Sequence, residues 1–162
     1  TSEPALAVSS GTPPSAVMGK PYSFTFTATG GDGSNAWTLL SGALPGGLTL
    51  GTTGVLSGTP TASGAFTAVV RVASGSQTAN TSGSLTVTEP TLVVGNVLNQ
   101  LLGTGTGAGI SADDIRYLDL LGNNNGALDV GDFLAWVNKT NATPAPPASR
   151  ARVTGTEGTV TP

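Results

Sequence analysis

The sequence predicts a mainly β protein: a sandwich of short strands, then a small α-helical module, then an extended C-terminal tail. Three observations carry this. Turn clusters of Gly, Pro, Asn and Asp recur through residues 1–89 at roughly the 8–12-residue spacing of a sandwich. The stretches between them alternate apolar and hydroxyl side chains, the period of a strand with one buried face. After Glu89-Pro90 the apolar residues change to helical spacing.

The strands follow in order. Tyr22-Ser-Phe-Thr-Phe-Thr-Ala-Thr29 alternates aromatic and hydroxyl residues and stops at Gly30-Gly31-Asp32-Gly33, a turn signal. Ala36–Leu40, Leu48–Leu50 and Val55–Leu56 come next, and Phe66–Val72 and Ser82–Thr88 close a set of about seven. This alternation assigns Phe24, Phe26, Trp37, Leu39, Leu48, Leu56, Phe66, Val70 and Leu85 to the core. Beyond Glu89-Pro90, the residues Leu92, Val93, Val97, Leu98, Leu101 and Leu102 fall on one helical face. Ser111 is placed as a helix N-cap, with Asp113 and Asp114 in the first turn, where the helix dipole favours acids. Asp132 opens a last helix carrying Phe133, Leu134, Trp136 and Val137, and Trp136 suits either the core or an exposed anchor. The expected units are a sandwich over 1–89, a helical module over 90–139 and a Pro/Thr-rich tail over 140–162.

Composition narrows the function. With 38% hydrophobic residues and a net charge of −3, the chain can form a core. With only six Lys and Arg, it has no basic footprint for nucleic acid. There is no His and no Cys, so Ser-His and Cys-His nucleophile pairs and a His-ligated zinc site are excluded. No catalytic residue is assigned: Asp113 and Asp114 are neighbours on a helix, point in different directions and are accounted for as helix-start residues. No run reaches the roughly 20 apolar residues of a spanning helix. The chain starts at Thr1 and is expected to be a mature, extracytoplasmic product (periplasmic, cell-surface or secreted) whose signal peptide has been removed.

Two segments carry family resemblances. Trp37-Thr-Leu-Leu-Ser-Gly-Ala-Leu-Pro-Gly-Gly-Leu-Thr-Leu50 continues into Thr53-Gly-Val-Leu-Ser-Gly-Thr-Pro-Thr-Ala-Ser-Gly-Ala-Phe66. It resembles the Ig-like or cadherin-like modules of bacterial surface and secreted proteins. That resemblance implies an Ig-like β-sandwich whose residues serve the fold and which acts as spacer, stalk or binding surface. The second segment is Asp119-Leu-Leu-Gly-Asn-Asn-Asn-Gly-Ala-Leu-Asp-Val-Gly-Asp132. It is similar to a dockerin-type calcium loop, a relative of the EF-hand.

An EF-hand loop offers oxygens at positions 1, 3, 5, 7, 9 and 12, with Gly at 6. With Gly126 at 6, the resemblance puts Asn123 at 3, Asn125 at 5, the Ala127 carbonyl at 7, Asp129 at 9 and Asp132 at 12. Position 1 falls on Leu121, and Asp119, two residues earlier, takes its role in a lengthened loop. The expectation is one Ca2+ held by Asn123, Asn125, Ala127 and Asp132, with Asp119 or Asp129 completing the shell at about 2.3–2.6 Å. The other reading of this segment is a solvated Asn/Gly turn between helices.

The expected function is a non-catalytic extracytoplasmic structural or interaction subunit that attaches to other protein subunits of a larger assembly. Arg150 and Arg152 of the tail are expected to pair with acidic groups of that partner. The alternative is a spacer or carbohydrate-binding module of a secreted hydrolase.

Overall fold

The computed structural model describes residues 2–103 and 109–140. Nine strands precede three helices among them: β1 (Ala7–Val8), β2 (Ala16–Val17), β3 (Tyr22–Thr25), β4 (Ala28–Thr29), β5 (Ala36–Gly42), β6 (Leu48–Leu50), β7 (Val55–Gly58), β8 (Gly64–Ser74), β9 (Gln77–Thr88), α1 (Val94–Leu102), α2 (Ala112–Leu121) and α3 (Val130–Thr140). One sheet has the order β2-β9-β8-β5, and the facing sheet has the order β3-β7-β6, with β1 and β4 as a separate pair. The segment between β1 and β2, which carries Gly11, Pro13 and Pro14, leads from the β1–β4 pair to the edge of the larger sheet. β2 then runs parallel to β9, and the other described pairings are antiparallel.

The longest ladder is β8 on β9, paired from Gly64↔Val87 to Ser74↔Gln77. Along β9 the even-numbered residues are exposed and the odd-numbered ones turn inward, ending in buried Leu85 and Val87. This is the period-2 pattern that the alternation of Thr and Ser with apolar residues dictates. Trp37 is buried between the sheets, with Phe26 5.6 Å away and Phe24 edge-on to Phe26 at 5.0 Å. Gly54, at φ 88°, brings the β6–β7 hairpin turn against this ring: a Cβ there would lie 2.8 Å from the Trp37 indole nitrogen. With so few large side chains, Trp37→Ala removes much of the bulk, and it is expected to cost about 3–5 kcal/mol in a denaturant melt.

Several expectations are corrected. Tyr22–Thr29 is not one strand. Phe26 and Thr27 lie between β3 and β4, where the Phe26 amide bonds to the Gly54 carbonyl and the Thr27 carbonyl accepts from Ser9. Leu39 pairs with buried Val70, yet it is 41% exposed. It lies on the edge strand β5, next to a bulge between Leu39 and Ser41, where cover from the second sheet ends. On α1, Val97, Leu98 and Leu101 turn inward, but Val93 and Leu102 are exposed, because Val93 is the extended N-cap residue and Leu102 ends the helix before Gly103. The last helix starts at Val130 and not at Asp132. Trp136, left open between core and surface, is buried. The segment 141–162 lies outside the described residues.

The helical module rests on one end of the sandwich. Gly19 lies against Tyr117 of α2, and the Gly19 carbonyl accepts from Arg116 at 2.9 Å. Lys20 stands 3.9 Å from Asp114. Glu89, expected only as a boundary residue, is the polar centre of this junction. Its carboxylate accepts from Ser63 Oγ at 2.7 Å, Tyr117 Oη at 3.1 Å and Lys139 Nζ. The Lys139 bond, then that from Ser63, hold the Glu89 carboxyl below its usual range, while burial first and the Glu89 charge second push the Tyr117 phenol up.

The sandwich is not filled throughout. Gly42, Ala68 and Gly83 pair in one row across β5, β8 and β9. Ala68 and Gly83 border a cavity of about 40 Å³, lined also by Phe26, Leu56, Phe66, Val70 and Leu85. A Cβ on Gly83 would meet only Pro13, at 3.8 Å, an ordinary contact. Gly83→Ala therefore adds a methyl to open space and removes unfolded-chain entropy. It is expected to raise stability by about 0.5–1 kcal/mol in urea titration, and a loss would mean that the cavity is closed to a methyl.

Candidate metal centre

The sequence builds a helix–loop–helix unit. Ser111 caps α2: its hydroxyl accepts the Asp114 amide at 3.1 Å, and the Asp114 carboxylate accepts the Ser111 amide at 3.3 Å, a reciprocal capping box. Asp113 pairs with Arg116 at 2.8 Å. Both acids thus serve the start of α2. The inner faces of α2 and α3 bury Tyr117, Leu118, Phe133 and Trp136.

The same faces bury two acids at their facing ends, Asp119 (6% exposed) in the last turn of α2 and Asp132 (0%) in the first turn of α3. Buried carboxylates need partners, and the loop supplies them. The two Asp119 oxygens accept the backbone amides of Asn125, at 2.7 Å, and Gly126, at 3.0 Å. The two Asp132 oxygens accept the amides of Asn123, at 3.2 Å, and Asp129, at 2.9 Å. Asn123 and Asn125 fold onto their own chain, accepting the amides of Asn125 and Ala127 on their side-chain oxygens. Gly126 takes φ 88°, the left-handed turn its place in the sequence implies.

The six expected ligands divide. Asp119 closes the loop, while Leu121, formally at position 1, packs as an apolar side chain on the core. Asp119, Asp132, Asn123 and Asn125 each have oxygens that accept a single hydrogen bond, which leaves a lone pair on each. Asp129 differs. One oxygen accepts the Gly131 and Asp132 amides and the other accepts the side-chain amides of Asn123 and Asn125, so it is saturated. It acts as the N-cap of α3, paired reciprocally with Asp132. The Asn123 bond and the backbone amides hold its carboxyl below the usual range. Ala127 is exposed, and Arg150 and Arg152 lie outside the described residues.

Among the described residues no three acidic, His or Cys side chains form a metal cluster by themselves. The candidate donor set therefore needs the two Asn amides and the Ala127 carbonyl, all hard oxygens suited to Ca2+. No described basic side chain forms an ion pair with Asp119, Asp129 or Asp132.

Sequence reasoning missed two residues. Glu89 was masked by its place before Pro90. Gly122 was visible in Gly-Asn-Asn-Asn-Gly but unexplained: a Cβ there would stand 2.0 Å from an Asp132 carboxylate oxygen and 2.7 Å from its Cα. Gly122→Ala is therefore expected to drive Asp132 out of the loop and lower the melting temperature of the helical module by circular dichroism, whereas Ala127→Ser, at an exposed position, leaves it in place.

No curated protein matches the chain. Among solved structures, it resembles a "putative alpha-galactosidase" from Bacteroides fragilis, with 21% identity and TM-score 0.45 over 52% of this chain and 18% of that one. It also resembles extracellular cadherin domains 3–6 of protocadherin gamma B2, with 18% identity and TM-score 0.44 over 54% of this chain and 26% of that one. A third is a SusE-like surface located polysaccharide binding protein of Bacteroides thetaiotaomicron, with 12% identity and TM-score 0.42 over 52% of this chain and 15% of that one. The chain thus spans about a quarter or less of each of these proteins. The family model described as "Putative Ig domain" matches residues 4–88, the whole of the two-sheet region and just over half of the 162 residues, and the chain belongs to that family.

Proposed function

We propose that this chain is a non-catalytic, extracytoplasmic attachment module: an Ig-like sandwich that carries, on one end, a calcium-stabilised helix pair for contact with other protein subunits. The observation that supports it best is the 119–132 loop, where two buried carboxylates and two Asn side chains keep oxygens that each accept a single hydrogen bond, and no described cation pairs with them. Asp119, Asp132, Asn123, Asn125 and the Ala127 carbonyl would hold the ion. Asp129 would act through the Asn side chains it fixes. Ca2+ would offset the mutual repulsion of the three Asp side chains and add folding free energy to a module with little apolar surface of its own.

The absence of His and Cys from the sequence, and the use of Asp113 and Asp114 in starting α2, support a non-catalytic role. No described helix is long and apolar enough to cross a membrane. A carbohydrate-binding reading has less support, because every aromatic side chain of the chain is buried or half-buried and none offers an exposed stacking face. Arg150 and Arg152 remain the proposed contacts to acidic groups of a partner.

Calorimetric titration and melting test the calcium reading together. Calcium is expected to bind once per chain and raise the melting temperature, with chelator reversing the gain. Asp132→Asn is expected to weaken binding at least tenfold. Superimposable melts with and without chelator, and no heat of binding, would remove calcium from the proposal.

A further inference from the structure

Asp119 and Asp132 sit at the facing ends of two helices, so the angle between α2 and α3 sets the distance between their carboxylates. Glu89 belongs to neither helix, yet it bonds to both. Tyr117, which reaches it from α2, is two residues before Asp119, and Lys139, which reaches it from α3, is in the last turn of that helix. Ser63, in the β7–β8 connection, ties the same carboxylate to the sandwich. The two helices are not equally anchored without it. α2 keeps the Arg116 bond to Gly19, the Lys20–Asp114 pair and the packing of Tyr117 on Gly19. For α3, Lys139–Glu89 is the one polar tie to the sandwich among the described residues.

We propose that Glu89 is a positioning residue for the 119–132 loop, fixing α3 against α2 from outside the module. This rests on the calcium reading for its effect on affinity, but its effect on loop order is independent of calcium. Removing the carboxylate leaves α2 docked and frees the far end of α3. The change reaches the loop as altered spacing of Asp119 and Asp132, and it loosens the bonds that Asn125 and Gly126 donate to Asp119. By linkage, calcium in the loop tightens the Glu89 contacts by the same factor.

The test uses the full chain, with calcium chloride titration and amide exchange of Asn125 and Gly126 measured in chelator. Glu89→Ala is expected to weaken calcium about tenfold, within the common range for coupled sites, and to speed exchange at both amides. Lys139→Met should reproduce most of the effect, and Glu89→Gln, which keeps an acceptor for Tyr117, a part of it. Val70→Ala, in the sandwich core, should lower the melting temperature without changing either readout. Asp32→Asn removes a charge at the opposite end of β8, beside Ser74, and should change neither. Wild-type affinity and exchange in Glu89→Ala would overturn the positioning role. If the wild type binds no calcium, the calcium reading falls and exchange alone decides: faster exchange in Glu89→Ala upholds positioning, and unchanged exchange ends it.

Discussion

The structure depends on the β8–β9 hairpin. Its unbroken ladder, from Gly64↔Val87 to Ser74↔Gln77, supplies the two central strands of the larger sheet, with β5 along one side and the short β2 along the other. Few large residues are available to the core, so backbone pairing carries much of the order, and inward Val70, Val72, Leu85 and Val87 give the second sheet a surface to cover. The hairpin also sets the polarity of the molecule. Its tip brings Ser74 to Asp32, while its open end delivers Glu89 to the helices.

From that open end the helical module gains what it lacks. Its three helices are short, with nine to eleven residues each, and isolated helices of that length are marginal in water. Burial of Tyr117 against Gly19, the Arg116 bond to a strand-connection carbonyl and the shared Glu89 carboxylate make the sandwich part of the module's support. The acids in this region divide their work by position. Asp114 and Asp129 start helices, Asp113 and Glu89 pair with cations, and Asp119 and Asp132 order the loop.

The sandwich was legible because its signals are local. Period-2 alternation placed Phe26, Trp37, Leu48, Leu56, Val70 and Leu85 inside, and glycine placed the turn at Gly54. Leu39 failed because alternation reports which face a residue is on and not whether a neighbouring sheet reaches that far. β1 and β2 escaped because each has two residues, too few for a period. In the loop, spacing from Gly126 brought out the segment that joins α2 to α3, and the capping role of Asp129 was hidden because a helix cap and a ligand look alike in sequence. Glu89 could not be found at all: its partners Ser63, Tyr117 and Lys139 are far apart along the chain and meet only in three dimensions.

The bulge beside Leu39 has a consequence for colloidal behaviour. β5 is an open edge with Leu39 and Leu40 exposed, and β5, β8 and β9 together carry a single charged side chain, Arg71. A flat, neutral edge of this kind would recruit a strand from any neighbour at high concentration. The irregular register between Leu39 and Ser41 interrupts the edge where those leucines lie, and the Trp37 amide is already bonded to the Thr52 carbonyl. With little charge along this edge to keep copies apart, the crookedness of one strand is the feature of the sheet that works against edge-to-edge pairing.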